Sequence, residues 1–328
     1  MEVLVETRNL KSYYVLNVFG NIKTVKAVDD VNIRIMKDEI YGIAGESGCG
    51  KSTLLKTLFG DVEPPLRVID GGVFYHDGGK EHNIYEDGGH LTRQFRWKFI
   101  SYVPQGSMSV LNPVVKVKEV FKDFLDSHLK SESKKEAFDI AVQHLRELGL
   151  PDNVLNAYSH QLSGGMRQRV AIALSTVLSP KVIIADEPTT ALDVVTQRGV
   201  IQLLKDIQEK YKNTIVIVTH DMGVHANIAT RVAIMYAGKI VEESSTEKIF
   251  GEPQHPYTRY LINSLPSFEN REKRTSAPGN PPSLSELPSG CSFHPRCPYR
   301  MKRCESEVPL LKDYGDDHSV ACWLMEEK

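Results

Sequence analysis

The sequence predicts an α/β fold whose buried sheet carries a phosphate-binding loop, followed by a small irregular C-terminal module. Gly45 to Thr53 fits the pattern of glycine, four residues, then Gly-Lys-Ser, and it lies between an apolar run and a helix-compatible stretch. The apolar runs Val182 to Ala185 and Thr214 to Val218 end in polar residues, as buried parallel strands do. Short alternating runs between residues 2 and 35 indicate an antiparallel β subdomain.

Length and charge limit the class of protein. The 328 residues allow one large domain and one small one. With 40 basic and 42 acidic residues the net charge is −2, so no overall positive field favours nucleic acid. No apolar run approaches the roughly 18 residues that cross a bilayer, and Met1 to Glu6 does not have the pattern of a signal peptide. A cytoplasmic protein is therefore expected.

The glycine-rich loop predicts a nucleotide site. Its glycines allow consecutive backbone N–H groups to point at phosphate oxygens. Lys51 would reach the β- and γ-phosphates, and Ser52 would hold Mg²⁺. The loop residues expected to bind nucleotide are Gly45, Ser47, Gly48, Cys49, Gly50, Lys51, Ser52 and Thr53. Upstream, Tyr14 would stack on the base, although packing in the core explains this aromatic residue equally well.

Polar residues at the ends of three further strands supply the expected chemistry. Gln105 follows an apolar run and is placed for the metal or the attacking water. Asp186 would hold Mg²⁺ through water, and Glu187 would act on the attacking water as general base. His220 would contact the γ-phosphate. Because open α/β sheets bind ligands at one edge, these strand ends are expected to meet there.

A second anion-binding device follows a helical region at residues 116–150. Ser163 is a natural N-cap, and Gly164 and Gly165 leave the N-terminus of the next helix open to an anion. One chain does not need two such devices for one phosphate. The sequence therefore predicts that this one serves the nucleotide of a neighbouring subunit.

The C-terminal segment has a different composition. Ten of the 17 prolines lie between Pro253 and Pro309, which predicts little regular structure. Four of the five cysteines crowd the last 38 residues with the spacing Cys-x5-Cys-x6-Cys-x17-Cys, at Cys291, Cys297, Cys304 and Cys322. This clustering favours a metal over disulfides in a cytosolic protein. Spacing alone leaves an iron–sulfur cluster, zinc and no metal open, since the close cysteine pair usual for zinc is missing.

The motifs, taken in order, resemble those of ABC-transporter ATPase subunits over about residues 1–265. They are the phosphate loop, Gln105, Leu162 to Met166, Asp186-Glu187, Ala191-Leu192-Asp193 and His220. Further segments are similar to the oligopeptide/dipeptide permease branch: Leu111-Asn112-Pro113, Tyr158 to Leu162, His255-Pro256-Tyr257-Thr258 and the cysteine-rich tail. The resemblance implies an ABC-type nucleotide-binding domain at 1–265, with a mixed sheet core, an antiparallel β subdomain and a helical signature subdomain. It also implies a C-terminal extension at 266–328 and adds Asp193 to the nucleotide site.

The resemblance implies an ATP-hydrolysing subunit that powers an importer of small solutes. The resemblance favours oligopeptides or dipeptides as the transported solute. Members of this branch also transport nickel and oligosaccharides. The implied partners are a second homologous ATPase subunit, two permease subunits and an extracytoplasmic binding protein, at the cytoplasmic face of the membrane. The ATPase pair would be a heterodimer in the transporter or a homodimer in isolation. The alternative is a soluble mechanical ABC-type ATPase acting on nucleic acid, but such proteins usually have long coiled-coil insertions or two cassettes, and this sequence has neither.

The resemblance also favours a 4Fe-4S cluster, with zinc as the alternative, as the metal that staples the C-terminal module. Four basic residues near the cysteines would offset the negative charge of a thiolate-ligated cluster. They are Arg296, Arg300, Lys302 and Arg303. His294 and His318 are weaker candidates to replace one of the cysteines.

Overall fold

The computed structural model describes residues 2–86, 90–106, 111–128, 134–265 and 277–326. The strands are β1 (Val3–Val18), β2 (Asn21–Val31), β3 (Arg34–Met36), β4 (Ile40–Ala44), β5 (Leu66–Asp77), β6 (Lys80–Asn83), β7 (Ile100–Val103), β8 (Val182–Asp186), β9 (Thr214–Val218), β10 (Arg231–Tyr236), β11 (Lys239–Ser245), β12 (Lys312–Asp313) and β13 (Ser319–Val320). The helices are α1 (Lys51–Phe59), α2 (His90–Phe95), α3 (Val117–His128), α4 (Lys134–Glu147), α5 (Gly164–Thr176), α6 (Val194–Tyr211), α7 (Met222–Ile228), α8 (Thr246–Gly251) and α9 (Pro256–Asn263). The chain divides into a first unit, residues 1–92 and 217–328, and a second unit, residues 93–216.

An antiparallel sheet forms the N-terminal part of the first unit. Its strand order is β2-β1-β5-β6, and β3 also pairs with β1. The apolar positions of β2 that the sequence pattern marks, among them Val28 and Val31, are fully buried. The predicted antiparallel β subdomain is confirmed.

A second sheet of the first unit leads into the phosphate loop. Strand β10 pairs in parallel with β4 and forms an antiparallel hairpin with β11. All five residues of β4 are buried. Directly after the loop, α1 runs to Gly60, whose N–H bonds to the carbonyls of Lys56 and Thr57 and closes the helix. The strand–loop–helix order predicted from the glycine pattern is confirmed.

The second unit is built on parallel strands and helices. Strand β7 pairs in parallel with β8, from Ile100 opposite Val182 to Val103 opposite Ala185. Every residue of β8 is buried, as its uninterrupted apolar sequence predicts. Helices α3 and α4 lie in the predicted helical region. Helix α5 contacts β7, where the Ser175 hydroxyl donates to the Tyr102 carbonyl at 3.0 Å.

The C-terminal segment has little regular structure, as predicted. Between residues 277 and 326 it holds only β12, β13 and short 3-10 turns. Strand β13 pairs with β11, which extends the second sheet of the first unit. Phe293 is 1% exposed and lies in one apolar cluster with Tyr236 and Tyr257. This segment therefore packs within the first unit, while the boundary at residue 265 stays a prediction because residues 266–276 lie outside the described ranges.

Within the described ranges, none of the helices is both long enough and apolar enough to span a bilayer.

Candidate functional site

The phosphate loop connects β4 to α1 and is shaped by close backbone contacts. Gly50 has a φ of 112°, and a Cβ there would lie 1.9 Å from the carbonyl oxygen of Ala27. Only glycine fits at this position. Ser47 and Gly48 are exposed, whereas Cys49 and Lys51 are buried. The loop therefore presents its tip to solvent and anchors its second half against the sheet.

Lys51 folds back over the loop that precedes it. Its ammonium donates to the carbonyl oxygens of Gly45 at 2.7 Å and Glu46 at 2.9 Å, and its side chain is 6% exposed. Ser52 and Thr53 follow in the first turn of α1, whose N-terminus favours an anion. A buried cation and a helix N-terminus thus lie at the same loop, as a phosphate site requires.

Tyr14 lies against the end of the phosphate loop. Its hydroxyl is 3.3 Å from Oγ1 of Thr53, and the side chain is half-buried. The neighbouring Tyr13 donates its hydroxyl instead to Asp29. Tyr14 thus has a hydrogen-bond contact with the loop, and its role in stacking on a base stays a prediction.

His220 follows β9 in the first unit and is exposed. The next residue, Asp221, caps α7 by accepting the backbone N–H of Gly223 at 2.8 Å. The histidine is thus fixed between a buried strand and a capped helix. Its contact with a γ-phosphate stays a prediction.

In the second unit, Gln105 and Glu187 come together. The Gln105 amide donates to Oε2 of Glu187 at 3.3 Å, and the Thr190 hydroxyl donates to the same oxygen at 2.7 Å. Glu187 also has a φ of 45°, an uncommon backbone conformation for this residue type that is often found at functional sites. The carboxylate is held in place by its neighbours.

Asp186, at the end of β8, is 2% exposed. Its Oδ2 accepts the hydroxyl of Tyr102 at 2.8 Å. A buried carboxylate with a hydrogen-bond donor is well oriented to bind a cation directly or through water. The pattern of apolar residues did not reveal the supporting roles of Tyr102 and Thr190. Two facts could have indicated these roles: Tyr102 lies on the strand adjacent to β8, and Thr190 follows Glu187 by three residues.

The second anion-binding device is a capped helix, as predicted. Ser163 accepts the backbone N–H of Met166 at 3.2 Å at the start of α5. A Cβ on Gly165 would lie 2.6 Å from Cγ2 of Thr196, so the helix start lies close to α6. Asp193 caps α6: it accepts the N–H of Thr196 at 3.0 Å and its hydroxyl at 2.6 Å. These hydrogen bonds, the hydroxyl foremost, lower the pKa of Asp193.

The residues predicted to form one site thus belong to both units. The first unit contributes the phosphate loop, Tyr14 and His220, and the second contributes Gln105, Asp186, Glu187, Asp193 and the glycines of α5. The predicted meeting of four strand ends at one edge, and the individual roles of these residues, stay predictions.

The four tail cysteines surround a small pocket in the first unit. Cys304 is buried and the other three are half-buried, and Phe293 and Trp323 close the pocket. Burial raises the pKa of Cys291 to about 11, and burial together with the other three thiols raises that of Cys322 to about 12. The thiols of Cys291 and Cys322 are therefore protonated at neutral pH.

The separation of the thiols bears on the choice of metal. Among the residues that the structure describes, no three of these sulfur atoms lie within 4.8 Å of one another. A tetrahedral zinc site, with Zn–S bonds of about 2.3 Å, places its sulfurs only about 3.8 Å apart. The pocket is therefore not a preformed zinc site. All four residues offer thiolate sulfur, a donor that both zinc and iron–sulfur clusters take.

Of the four basic residues expected to offset a cluster's charge, Arg296 and Arg303 are paired with carboxylates, whereas the role of Arg300 and Lys302 stays a prediction. Arg296 makes an ion pair with Glu46 of the phosphate loop. Arg303 pairs with Glu307 and Glu326. Similarly, His318 is paired with the buried carboxylate of Glu242 at 2.7 Å. Apart from the Arg303–Glu307 pair, these contacts join residues that are far apart in the sequence, so its order does not reveal them.

Known proteins show what the chain is related to. A family model described as ABC transporter matches residues 28–190, and one described as the C-terminal region of oligopeptide/dipeptide transporters matches residues 241–304. The chain is 42% identical over 329 residues to the dipeptide transport ATP-binding protein DppD of Caldanaerobacter subterraneus, covering 100% of this chain and 98% of that protein. The chain belongs to the ABC transporter ATPase family.

Other members of the ABC family agree. The dipeptide transport ATP-binding protein DppD of Bacillus subtilis is 39% identical over 332 residues, covering 100% of this chain and 96% of that protein. A solved ATP-binding cassette, a dimer in a post-hydrolysis state bound to ADP and Pi, superposes with a TM-score of 0.62 at 29% identity. The superposition covers 74% of this chain and 99% of the solved chain. The predicted ABC-type nucleotide-binding fold is confirmed, and the chain is an ABC ATPase.

The two family matches cover different parts of the ABC ATPase. The first contains the phosphate loop, Gln105, Glu187 and the Ser163 device. The second contains Tyr257, Arg296 and three of the four tail cysteines, while Cys322 lies beyond it.

Proposed function

We propose that this ABC ATPase powers the import of dipeptides or oligopeptides. The observation that carries the proposal is similarity along the whole chain to proteins named for dipeptide transport. The match of residues 241–304 to the C-terminal region of oligopeptide/dipeptide transporters supports it. The rival function, a mechanical ATPase acting on nucleic acid, is disfavoured by the net charge of −2.

In this proposal the two units divide the chemistry of ATP hydrolysis. Lys51 and the loop residues from Gly45 to Thr53 bind the phosphates, and His220 contacts the γ-phosphate. Glu187 accepts a proton from the attacking water, and Gln105 orients that water. Ser52, Gln105 and Asp186 offer the oxygen donors that suit Mg²⁺, which neutralises phosphate charge when bound. Tyr14 stacks on the base.

The proposed assembly is an importer in which two ATPase subunits work together. Ser163, Gly164, Gly165 and Asp193 serve the nucleotide of the second ATPase subunit, since the phosphate loop already serves the chain's own. The other partners are two permease subunits and an extracytoplasmic binding protein, so the chain lies at the cytoplasmic face of the membrane. Residues 1–265 form the nucleotide-binding domain and 266–328 the extension.

Loss of peptide uptake tests the proposed substrate class. Deleting the gene for this chain should abolish uptake of labelled dipeptides or oligopeptides and leave uptake of the free amino acids unchanged as the control. The unaltered gene should restore uptake, and a Glu187→Gln gene should not. Normal peptide uptake in the deletion strain, with loss of nickel or oligosaccharide uptake instead, would contradict the assignment.

We further propose that Cys291, Cys297, Cys304 and Cys322 hold one 4Fe-4S cluster. All four cysteines belong to the described residues and line one pocket, and no three of their sulfur atoms lie within 4.8 Å of one another, which supports a cluster over a preformed zinc site. The cluster supplies cross-links among four distant positions of the tail. Its role is structural or in assembly with the partner subunits.

Metal analysis tests the cluster. Protein prepared without oxygen should contain about four iron atoms per chain and absorb broadly near ~400 nm. Cys297→Ser should lose most of this iron and lower the thermal stability of the tail. Cys49→Ser is the matched control, because the fifth cysteine lies in the phosphate loop, and its iron content should equal that of the unaltered chain. Colourless anaerobic protein with one zinc per chain would refute the cluster and keep the four-cysteine site.

A further inference from the structure

The C-terminal segment reaches the phosphate loop through one ion pair. Arg296, next to the cluster ligand Cys297, donates from Nη1 and Nη2 to the two carboxylate oxygens of Glu46, at 2.7 and 2.9 Å. This paired geometry fixes both the distance and the direction of the carboxylate. The two residues are 250 positions apart in the sequence. The C-terminal segment thus forms an ion pair with a residue inside the phosphate loop.

The guanidinium of Arg296 is itself held on several sides. It is 6% exposed, and its Nε donates to the carbonyl of Pro278 at 2.9 Å. Nη1 also donates to the hydroxyl of Tyr236 at 3.3 Å. A buried, fully hydrogen-bonded arginine does not exchange partners in the way that surface ion pairs do. Its position therefore sets the position of Glu46, rather than the reverse.

The backbone of Glu46 transmits this constraint to the phosphate-binding lysine. Its carbonyl accepts the ammonium of Lys51 at 2.9 Å. Its N–H donates to the hydroxyl of Tyr257, a fully buried residue of α9, at 2.8 Å. Arg296 therefore fixes the side chain of Glu46 and Tyr257 fixes its backbone N–H, while the Glu46 carbonyl orients Lys51.

Charge gives the ion pair a second effect. A free carboxylate within an anion-binding loop repels phosphate, because like charges a few ångströms apart interact strongly where water is partly excluded. Arg296 neutralises Glu46 and draws its carboxylate towards the C-terminal segment. Without the arginine, the negative charge would stay at the loop and weaken the binding of an anionic ligand.

We propose that Arg296 of the C-terminal segment and Tyr257 of α9 are positioning residues for the phosphate loop and set the affinity of the site for ATP. The inference rests on the proposed role of Lys51 in binding phosphate. Neither residue touches the nucleotide. Both act through Glu46, and they affect ATP binding more than the chemical step, because Glu187 and Gln105 have separate partners.

Steady-state hydrolysis by the full chain, with KM and kcat measured separately, tests the proposal. Arg296→Gln should raise the KM for ATP by about tenfold, the scale of one uncompensated charge at a partly screened site, and change kcat by less than about twofold. Arg67→Gln is the matched control, since it removes the same charge from an exposed position on β5, and its KM should not change. Tyr257→Phe should raise KM by a few-fold, because it deletes the acceptor for the Glu46 N–H.

The double variant Glu46→Gln, Arg296→Gln separates the effect of the unpaired Glu46 charge from a general loss of structure. Removing the carboxylate relieves the repulsion, so its KM should return to within about threefold of the unaltered chain. If Arg296 were needed only for folding, the second substitution would not restore the KM. A normal KM in Arg296→Gln, or a double variant as weak as the single one, would overturn the proposal. If Arg296→Gln does not fold, Arg296→Lys and Tyr257→Phe decide it by the same KM criterion. Unimpaired ATP binding by Lys51→Ala would refute the role of the loop itself.

Discussion

Replacing Glu187 with glutamine is expected to lower the turnover number for ATP hydrolysis by about 10²- to 10⁴-fold, the usual contribution of a general base. Glutamine keeps the size of the side chain and an oxygen that can accept the Thr190 hydroxyl, which lies 2.7 Å from the carboxylate. The amide does not accept a proton from water. ATP affinity should therefore change by less than about threefold, and an ATP-bound dimer should accumulate. Steady-state hydrolysis, equilibrium binding and size-exclusion chromatography measure the three effects.

The matched control is Glu209→Gln, which makes the same substitution on an exposed face of α6. It should hydrolyse ATP at the unaltered rate, so that loss of one negative charge is not itself the cause. Near-normal turnover in Glu187→Gln would place the base elsewhere, with His220 the next candidate.

Replacing Lys51 with alanine is expected to weaken ATP binding by about 10²-fold or more and to abolish measurable hydrolysis. The ammonium is the buried cation of the loop, and each hydrogen bond from a charged group contributes about 1.5–3 kcal/mol. Its removal also frees the carbonyls of Gly45 and Glu46, which it now holds at 2.7 and 2.9 Å. Titration with ATP and Mg²⁺ measures the loss of affinity.

Lys56→Ala provides the comparison for this variant. Lys56 is exposed on the same helix, five residues further on, and the change removes the same charge from α1. Its ATP affinity should stay normal. Equal affinities for the Lys51 and Lys56 variants would show that the loop does not bind the phosphates through its lysine.

Local sequence patterns predicted the parts of the fold that depend on nearby residues. The glycines and the lysine of the phosphate loop lie within nine positions, and Ser163 precedes the helix that it caps. The apolar run of β8 predicted a buried strand because burial on both faces leaves no polar alternation. These features follow from backbone geometry and the hydrophobic effect acting over a few residues.

Contacts between distant positions were not predictable in this way. The carboxylate of Glu46 and the guanidinium of Arg296 show no shared periodicity, and the arginine was assigned to the cluster because it stands beside Cys297. The uncommon φ of 45° at Glu187 follows from the loop around it and not from the residue type. The pairing of the tail with β11 likewise depends on which edge of the sheet is free in three dimensions.

Because β13 pairs with β11, the C-terminal segment forms the edge of the second sheet of the first unit. Glu242 lies opposite Val320 and Glu243 opposite Ser319, so two residues of the tail cover backbone groups of β11. Cutting the chain after residue 265 would remove this cover together with His318, the partner of the buried Glu242 carboxylate. An uncovered strand offers its amides and carbonyls to other chains. The shortened protein would therefore be prone to self-association through β11, even though all its ATPase motifs would remain.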